Sequence, residues 1–249
     1  MSDTTKVITA TEFKVNLGLY LDYVTADHEV VITKNGKKSV RITPYITDIE
    51  RYFTVKERAL DYSYGGKKVS YAEFMEIYEK NELRMEYING EIVLLASPSP
   101  FHQEVSGNLY VVLRSYLKDG KCKVFYAPFD VHFHKQGFQT PDVMQPDLLV
   151  GCDLETAVDE KGRYMGTPTL CVEILSRRTR SKDMVDKLNT YMLSGVREFW
   201  MVDPDKQTVG VYGFSDLAVD EYATYKQGDI LVSHFFAGLE IGVADIFKS

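Results

Sequence analysis

The sequence predicts an α/β chain of mixed α+β character, with a small strand, helix and hairpin module in front of a larger domain. Two stretches carry that reading. The first runs from Pro168 to Pro204, where two apolar runs (Leu170, Cys171, Val172, Ile174 and Leu175, then Phe199, Trp200, Met201 and Val202) flank a helical segment. In that segment Met184, Leu188, Tyr191 and Met192 recur at helical spacing, and Gly195 follows as a stop. A strand, helix, strand succession of this length joins parallel strands buried on both faces. Glu173 interrupts the first run, and a carboxylate in a buried strand is costly without a partner. It is therefore either half of an ordinary ion pair or part of a functional centre.

The second stretch is the first 45 or so residues. Val7 to Thr9 reads as a strand, and Thr9 or Thr11 caps a helix with Phe13, Leu17, Tyr20, Leu21 and Val24 as its apolar stripe. Val30 to Thr33 and Ser39 to Ile42 then flank Asn35-Gly36, the strongest short-range hairpin signal. So small a piece buries little and needs a partner surface. Its turn carries Lys34 and Lys37, which suit a solvated tip, DNA contact or dimerisation.

The totals narrow the classes. With 249 residues the chain can form one large domain or two unequal ones. A formal net charge of -7 excludes a protein that is basic all over, but leaves room for a local basic lining around a carboxylate centre. The three cysteines, Cys122, Cys152 and Cys171, form no CxxC pair, so neither a disulfide framework nor a zinc ribbon is indicated and a reducing interior is expected. No stretch approaches membrane-span length and the N-terminus does not read as a secretory leader. A soluble, cytoplasmic protein is the expectation.

The front segments ITATEFKVNLGLYLDYV and EVVITKNGKKSVRI resemble the N-terminal part of the Phd/YefM antitoxins. The resemblance implies dimerisation through this module and binding to operator DNA; no toxin-neutralising tail can be identified after it. Residues 1–47 are assigned to the module and 48–68, which end near Gly65-Gly66, to a linker with room for a short helix. The large domain then covers 69–249.

In that domain Ser70 and Glu73 form a capping box for a helix that buries Phe74, Ile77 and Tyr78. A hairpin around Asn89-Gly90 follows, flanked by Glu86 and Glu91. A helix from His102 through Leu117 turns Val105, Leu109, Val112, Leu113 and Tyr116 inward, and strands are expected at 123–126 and 129–133. His132 and His134 read as a solvated strand face rather than a zinc pair. Asp142 reads as a loop residue, because Pro146 breaks a strand after it. Glu198, Trp200 and Asp203 belong to a structural strand, and strand-like residues from Ile230 to Phe247 complete the core.

Asp147 enters the apolar run 148–150, so Asp147 and Glu173 on successive strands can converge on one divalent cation of the Mg²⁺ or Mn²⁺ type. Such a cation lowers the pKa of water and offsets phosphodiester charge. Arg177, Arg178, Arg180 and Lys182 leave the Glu173 strand directly as candidate phosphate contacts, and Asp183 and Lys187 share a helix face.

EYINGEIV, PSPFHQ, QPDLLV, PTLCVEILS, DMVDKLNTY and GVREFWMVDP, in that order, resemble the Uma2 family of endonucleases within the PD-(D/E)xK nuclease-like superfamily. This resemblance implies a restriction-endonuclease-like mixed sheet flanked by helices and metal-dependent DNA cleavage. It makes Asp147 the aspartate of the Pro-Asp pair, Glu173 the second metal ligand and the backbone carbonyl of Ile174 the third. Leu175 stands where the superfamily carries its lysine; Lys187 takes that place, with Lys182 as second choice. Glu86, Glu91 and His102 match further polar positions, as a third carboxylate and a water-positioning group, or as a hairpin flank and a helix cap. Arg177-Arg178 replace Ser-Pro-like residues. The expected function is a Mg²⁺-dependent endodeoxyribonuclease acting on DNA as a homodimer; the rival is a catalytically inactive DNA-binding regulator of antitoxin type.

Overall fold

The computed structural model of the chain describes residues 5–25, 28–42, 66–80, 83–176 and 181–248, with 181–183 described as backbone alone. The chain divides into two compact units, Met1–Leu60 and Asp61–Ser249. The first contains β1 (Thr5–Thr9), α1 (Ala10–Val15), α2 (Leu17–Thr25), β2 (Glu29–Lys34) and β3 (Lys37–Ile42). β2 is the central strand, parallel to β1 and antiparallel to β3. Thr9 caps α1, its hydroxyl oxygen accepting the Glu12 N–H at 3.1 Å. Asn35 and Gly36 have φ of 51° and 74°, the pair of positive values that a type I′ hairpin turn requires.

The single helix expected there is two. The backbone leaves helical space at Asn16, whose side chain bonds back to the Glu12 carbonyl. Its apolar stripe is also narrower than expected: Tyr20 and Val24 join Ile8, Val30 and Ile32 in a small core, whereas Leu17 and Leu21 are 47% and 45% exposed. A nine-residue α2 on a three-stranded sheet covers one narrow stripe, and the neighbouring i, i+4 pair faces outward.

The second unit begins with α3 (Tyr71–Glu79), β4 (Met85–Ile88), β5 (Glu91–Leu94), α4 (Pro100–Tyr116), β6 (Lys123–Tyr126), β7 (Val131–Phe133), β8 (Asp142–Met144), β9 (Leu148–Gly151) and α5 (Leu154–Ala157). It continues with β10 (Leu170–Ile174), α6 (Ser181–Leu193), β11 (Glu198–Asp203), β12 (Thr208–Ser215), β13 (Ala218–Lys226), β14 (Ile230–Val232), β15 (Glu240–Gly242) and α7 (Val243–Ile246). A six-stranded mixed sheet, order β13-β12-β11-β10-β9-β6, forms the centre. β10 and β11 are its parallel pair, in register from Leu170 opposite Glu198 to Ile174 opposite Val202, and α6 is the crossover between them. Every residue of β10 is buried. Leu170, Val172 and Ile174 pack with Val105, Leu109 and Leu113 of α4, while Cys171 packs with Tyr191 of α6 on the opposite face. Glu173 shares the parity of Cys171 and so faces α6.

A second sheet, order β5-β4-β8-β7, carries α3 through Phe74, Met85, Tyr87, Ile92 and Val143. Ser70 and Glu73 form the expected capping box. Gly66 and Val69 donate backbone hydrogen bonds to Ile92 and Gly90, so the last residues of the stretch expected as linker are paired with the hairpin; 48–65 lie outside the described residues.

Several expectations are corrected by packing. α4 starts at Pro100 under a Ser99 cap, and its inward set ends on Leu117 in place of Tyr116, which is 40% exposed. Asp142 is a buried strand residue: β8 is only three residues long and finishes before Pro146, so the proline ends the strand without breaking it. The tail closes in a short helix after the β14–β15 hairpin. Cys122 and Cys152 are disulfide-bonded, with Cα atoms 4.0 Å apart, because antiparallel β6 and β9 pair Lys123 with Gly151 and bring the next residues together. A separation of 30 residues carries no local signal of that pairing; Cys171 is free and buried.

Two buried polar residues act within the fold. Glu198 lies under the turn that follows β14: its oxygens accept from Trp200 Nε1 (2.7 Å), Ser233 Oγ (2.5 Å), His234 N (3.2 Å) and Phe235 N (3.2 Å). His132, expected on a solvated face, is 1% exposed because β7 pairs with β8 beneath α3; only His134 is exposed. The His132 Nδ1 atom is hydrogen-bonded to the Tyr71 hydroxyl at 3.0 Å, and among the described residues Nε2 is buried without a partner. Burial, aided by the Arg163 charge, pushes its pKa down to about 4.

Glu198→Gln turns two acceptor oxygens into one, and is expected to lower unfolding free energy by about 1–3 kcal/mol while leaving the site described below intact. Denaturant unfolding measures it, and an unchanged midpoint contradicts the assignment. The depressed His132 pKa favours its neutral form in the fold. Its contribution to stability is therefore complete above the ordinary pKa of 6.5 and lost as pH falls through about 4. His132→Asn is expected to flatten the acid side of the stability profile, on the order of 1–3 kcal/mol between pH 7 and 4. Equal pH slopes in the two proteins contradict it.

Candidate acidic centre

The site is built where β9 and β10 run side by side and α6 crosses over β10. Asp147 immediately precedes β9, at the open end of its pairing with β10. Its Oδ2 accepts the Ile174 N–H at 2.8 Å and lies 3.2 Å from His102 Nε2, in the first turn of α4. In an extended strand the N–H and C=O of one residue point to the same edge. The Ile174 carbonyl therefore lies on the Asp147 side of β10.

Glu173, one residue earlier, projects from the sheet toward α6. Its Oε1 accepts from Lys187 Nζ at 2.9 Å and from the Tyr191 hydroxyl at 2.5 Å. Lys187 and Tyr191 are one helical turn apart and share a face. The same Lys187 ammonium reaches Glu86 Oε1 on β4 at 3.0 Å, and that oxygen also accepts the Gln145 N–H at 2.9 Å. Among the described residues Glu86 Oε2 is buried with no hydrogen-bond partner. Glu86, Glu173 and Lys187 are all buried.

The charges are unbalanced. Burial pushes the Glu173 carboxyl up; Lys187 opposes that, and Asp147 and Glu86 add to the rise, so its pKa stands above the ordinary carboxylate range. Burial alone would lower Lys187, but Glu173 and Glu86 outweigh it and hold the ammonium above its usual range. For His102, burial pulls downward and the Asp147 hydrogen bond and charge prevail, so its pKa is raised. Two carboxyl groups, Glu86 and Glu173, thus contact the Lys187 ammonium, and Asp147 adds to its electrostatic surroundings. Carboxyl oxygens, one of them buried and without a hydrogen-bond partner among the described residues, are the donor chemistry that suits a hard divalent cation. Among the described residues no three His, Cys, Asp or Glu side chains already close on one point.

Two hydrogen-bonded groups are thus joined through the Glu173–Ile174 peptide: Asp147 with the Ile174 N–H and His102, and Glu173 with Lys187 and Glu86. Glu91 pairs with Ile88 at the far end of the hairpin and takes no part. Lys34 and Lys37 are exposed at the hairpin tip of the first unit. Arg177, Arg178, Arg180 and the Lys182 side chain lie outside the described residues.

Sequence reasoning passed over the supports of this assembly. Asn89, read as a turn residue, holds positive φ (50°) and also donates its backbone N–H to Asp142 Oδ1 (2.9 Å). Its side chain accepts from Lys135 Nζ (2.6 Å) and donates to Asp186 Oδ1 (3.2 Å). Asp142 completes the lock through a buried ion pair with Lys135 and the Thr190 hydroxyl, both at 2.6 Å. Gln145 is gripped by Arg84, Tyr78 and Asp130 while its backbone holds Glu86. The available signal was the polar face of α6: Asp186, Lys187, Thr190 and Tyr191 fall at i, i+1, i+4 and i+5, too regular for a helix side turned only to apolar core.

Residues 5–57 match a model described as "Antitoxin Phd_YefM, type II toxin-antitoxin system". Two Synechocystis proteins are similar: "Uncharacterized protein slr1290" is 25% identical over 171 residues, covering 68% of this chain and 82% of its own. "Uncharacterized protein sll1609" is 22% identical over 138 residues, covering 55% and 76%. A crystal structure from Anabaena variabilis, described as "a putative nuclease belonging to DUF820", shares the fold with a TM-score of 0.57 at 22% identity, covering 70% of this chain and 96% of that one. Residues 71–244 match the model described as "Uma2: Putative restriction endonuclease", which is more than half of the sequence, and the chain belongs to the Uma2 family.

Proposed function

We propose that the protein is a divalent-cation-dependent endonuclease that hydrolyses DNA phosphodiester bonds at the Asp147–Glu173 centre. The observation that carries this reading is the Lys187 ammonium buried between Glu173 and Glu86, beside Asp147. A helix lysine thereby reaches the glutamate that the strand position, Leu175, cannot serve. Leu175 packs into the apolar cluster under α6 instead.

Asp147, Glu173 and the Ile174 carbonyl would hold Mg²⁺ or Mn²⁺, and the unpaired Glu86 oxygen beside them fits a centre with negative charge to spare. When bound, the cation would lower the pKa of water and offset charge on the phosphodiester. Lys187 stays protonated against both glutamates, so it serves as an electrostatic and orienting group and leaves proton abstraction to others. His102 fixes one Asp147 oxygen and can carry a proton at Nε2. Arg177, Arg178, Arg180 and Lys182 follow the Glu173 strand in sequence and supply the positive charge a DNA backbone needs. The antitoxin-type match of residues 5–57 supports a first unit that dimerises or contacts DNA, with Lys34 and Lys37 exposed for the latter.

That same match favours one other reading, a DNA-binding regulator whose nuclease fold does not cut. Plasmid and single-stranded DNA are incubated with the purified full chain, in Mg²⁺ or Mn²⁺ and in chelator, beside Asp147→Asn and Glu173→Gln. Metal-dependent cutting that falls roughly 100-fold or more in both folded variants is the expected outcome. Cutting that persists in both overturns the site assignment. Salt-sensitive DNA binding that survives both substitutions, with no cutting by any form, selects the regulator.

A further inference from the structure

We propose that Tyr191 is the positioning residue of the acidic centre: its hydroxyl fixes the rotation of the Glu173 carboxylate so that Oε2 faces the cation. This rests on the reading of Asp147 and Glu173 as a cation centre. Oε1 receives both the Tyr191 hydroxyl (2.5 Å) and Lys187 Nζ (2.9 Å), whereas among the described residues nothing is hydrogen-bonded to Oε2. The terminal torsion of a glutamate is broad and roughly two-fold, so a carboxylate does not choose its facing oxygen unaided.

Lys187 alone supplies no such choice. Its ammonium ends a flexible four-carbon stem and is shared with Glu86, so it fixes charge better than direction. Tyr191 is the opposite kind of group. It is fully buried, with two side-chain torsions, and its ring is packed edge-on to Phe133 (centroids 5.1 Å, 64°) and tilted against Phe199 (5.1 Å, 48°). A rigid ring clamped between aromatics delivers its hydroxyl to one point. Tyr191 touches neither substrate nor cation and acts through Glu173, as partners of metal-ligating carboxylates do.

Tyr191→Phe keeps the ring and removes only the hydroxyl; Phe133→Leu keeps the hydroxyl and loosens the ring. Calorimetric titration of the full chain with Mn²⁺, in the absence of DNA, reads the result without relying on cleavage. Wild type is expected to bind, and Tyr191→Phe to bind about 10–100-fold more weakly, with Phe133→Leu between them. The Mg²⁺ concentration for half-maximal cleavage should rise in step. A purely structural tyrosine would lower the unfolding midpoint and leave Mn²⁺ affinity unchanged in both variants, which overturns the inference alone. Wild-type protein that binds no Mn²⁺ overturns the cation reading and this inference together.

Discussion

The structure of the second unit depends on where one ammonium group sits. Lys187 lies between Glu86 and Glu173, and those three side chains belong to three separately placed elements: a hairpin of the smaller sheet, the crossover helix and the central strand. Burying such an arrangement costs desolvation that its internal attraction barely repays, and an apolar core of the same volume would serve folding as well. Stability is therefore a poor reason for its presence. What it provides is a set of charges held at fixed positions in a region where water cannot screen them, which is the condition for electrostatic catalysis.

Everything around the ammonium serves to hold its partners. The parallel β10–β11 pair needs a crossover, the crossover is α6, and helical periodicity places Lys187 and Tyr191 over Glu173. The hairpin that brings Glu86 is pinned at its tip, where Asn89 bonds to Asp142, Lys135 and Asp186. At its base the Gln145 N–H holds Glu86, and two residues on, Asp147 is anchored to the Ile174 N–H. One short segment, Gln145-Pro146-Asp147, thus ties the smaller sheet to the central one and delivers the second carboxylate. Glu198 shows the contrast: it is equally buried, but its hydrogen-bond partners are all donors, from its own strand and from the turn after β14.

The strand, helix, strand core and both Asn-Gly hairpins were legible in the sequence, because each is written in local periodicity and turn chemistry. Asp147, Glu173 and Lys187 stood out in the sequence because they break apolar patterns or follow a family order, and the fold places Lys187 on Glu173 and Asp147 on the next residue's N–H. What escaped depends on contacts distant along the chain. Nothing near His132 announces that α3 will cover it, nothing near Cys122 announces Cys152, and Asp142 looks like a loop residue until β4 and β7 flank it. Leu17 and Leu21 escaped for the reverse reason: their periodicity is right for a buried stripe, but the small sheet beneath offers room for one.

The proposed function places a cation at Asp147 and Glu173, with Lys187 held against Glu173. Anomalous diffraction from crystals of the full chain grown with Mn²⁺ tests this most directly. A peak contacted by the Asp147 and Glu173 carboxylates and the Ile174 carbonyl, with Lys187 still on Glu173, is the expected result. A peak at other residues alone, or a Lys187 that leaves Glu173 when the cation binds, would contradict it.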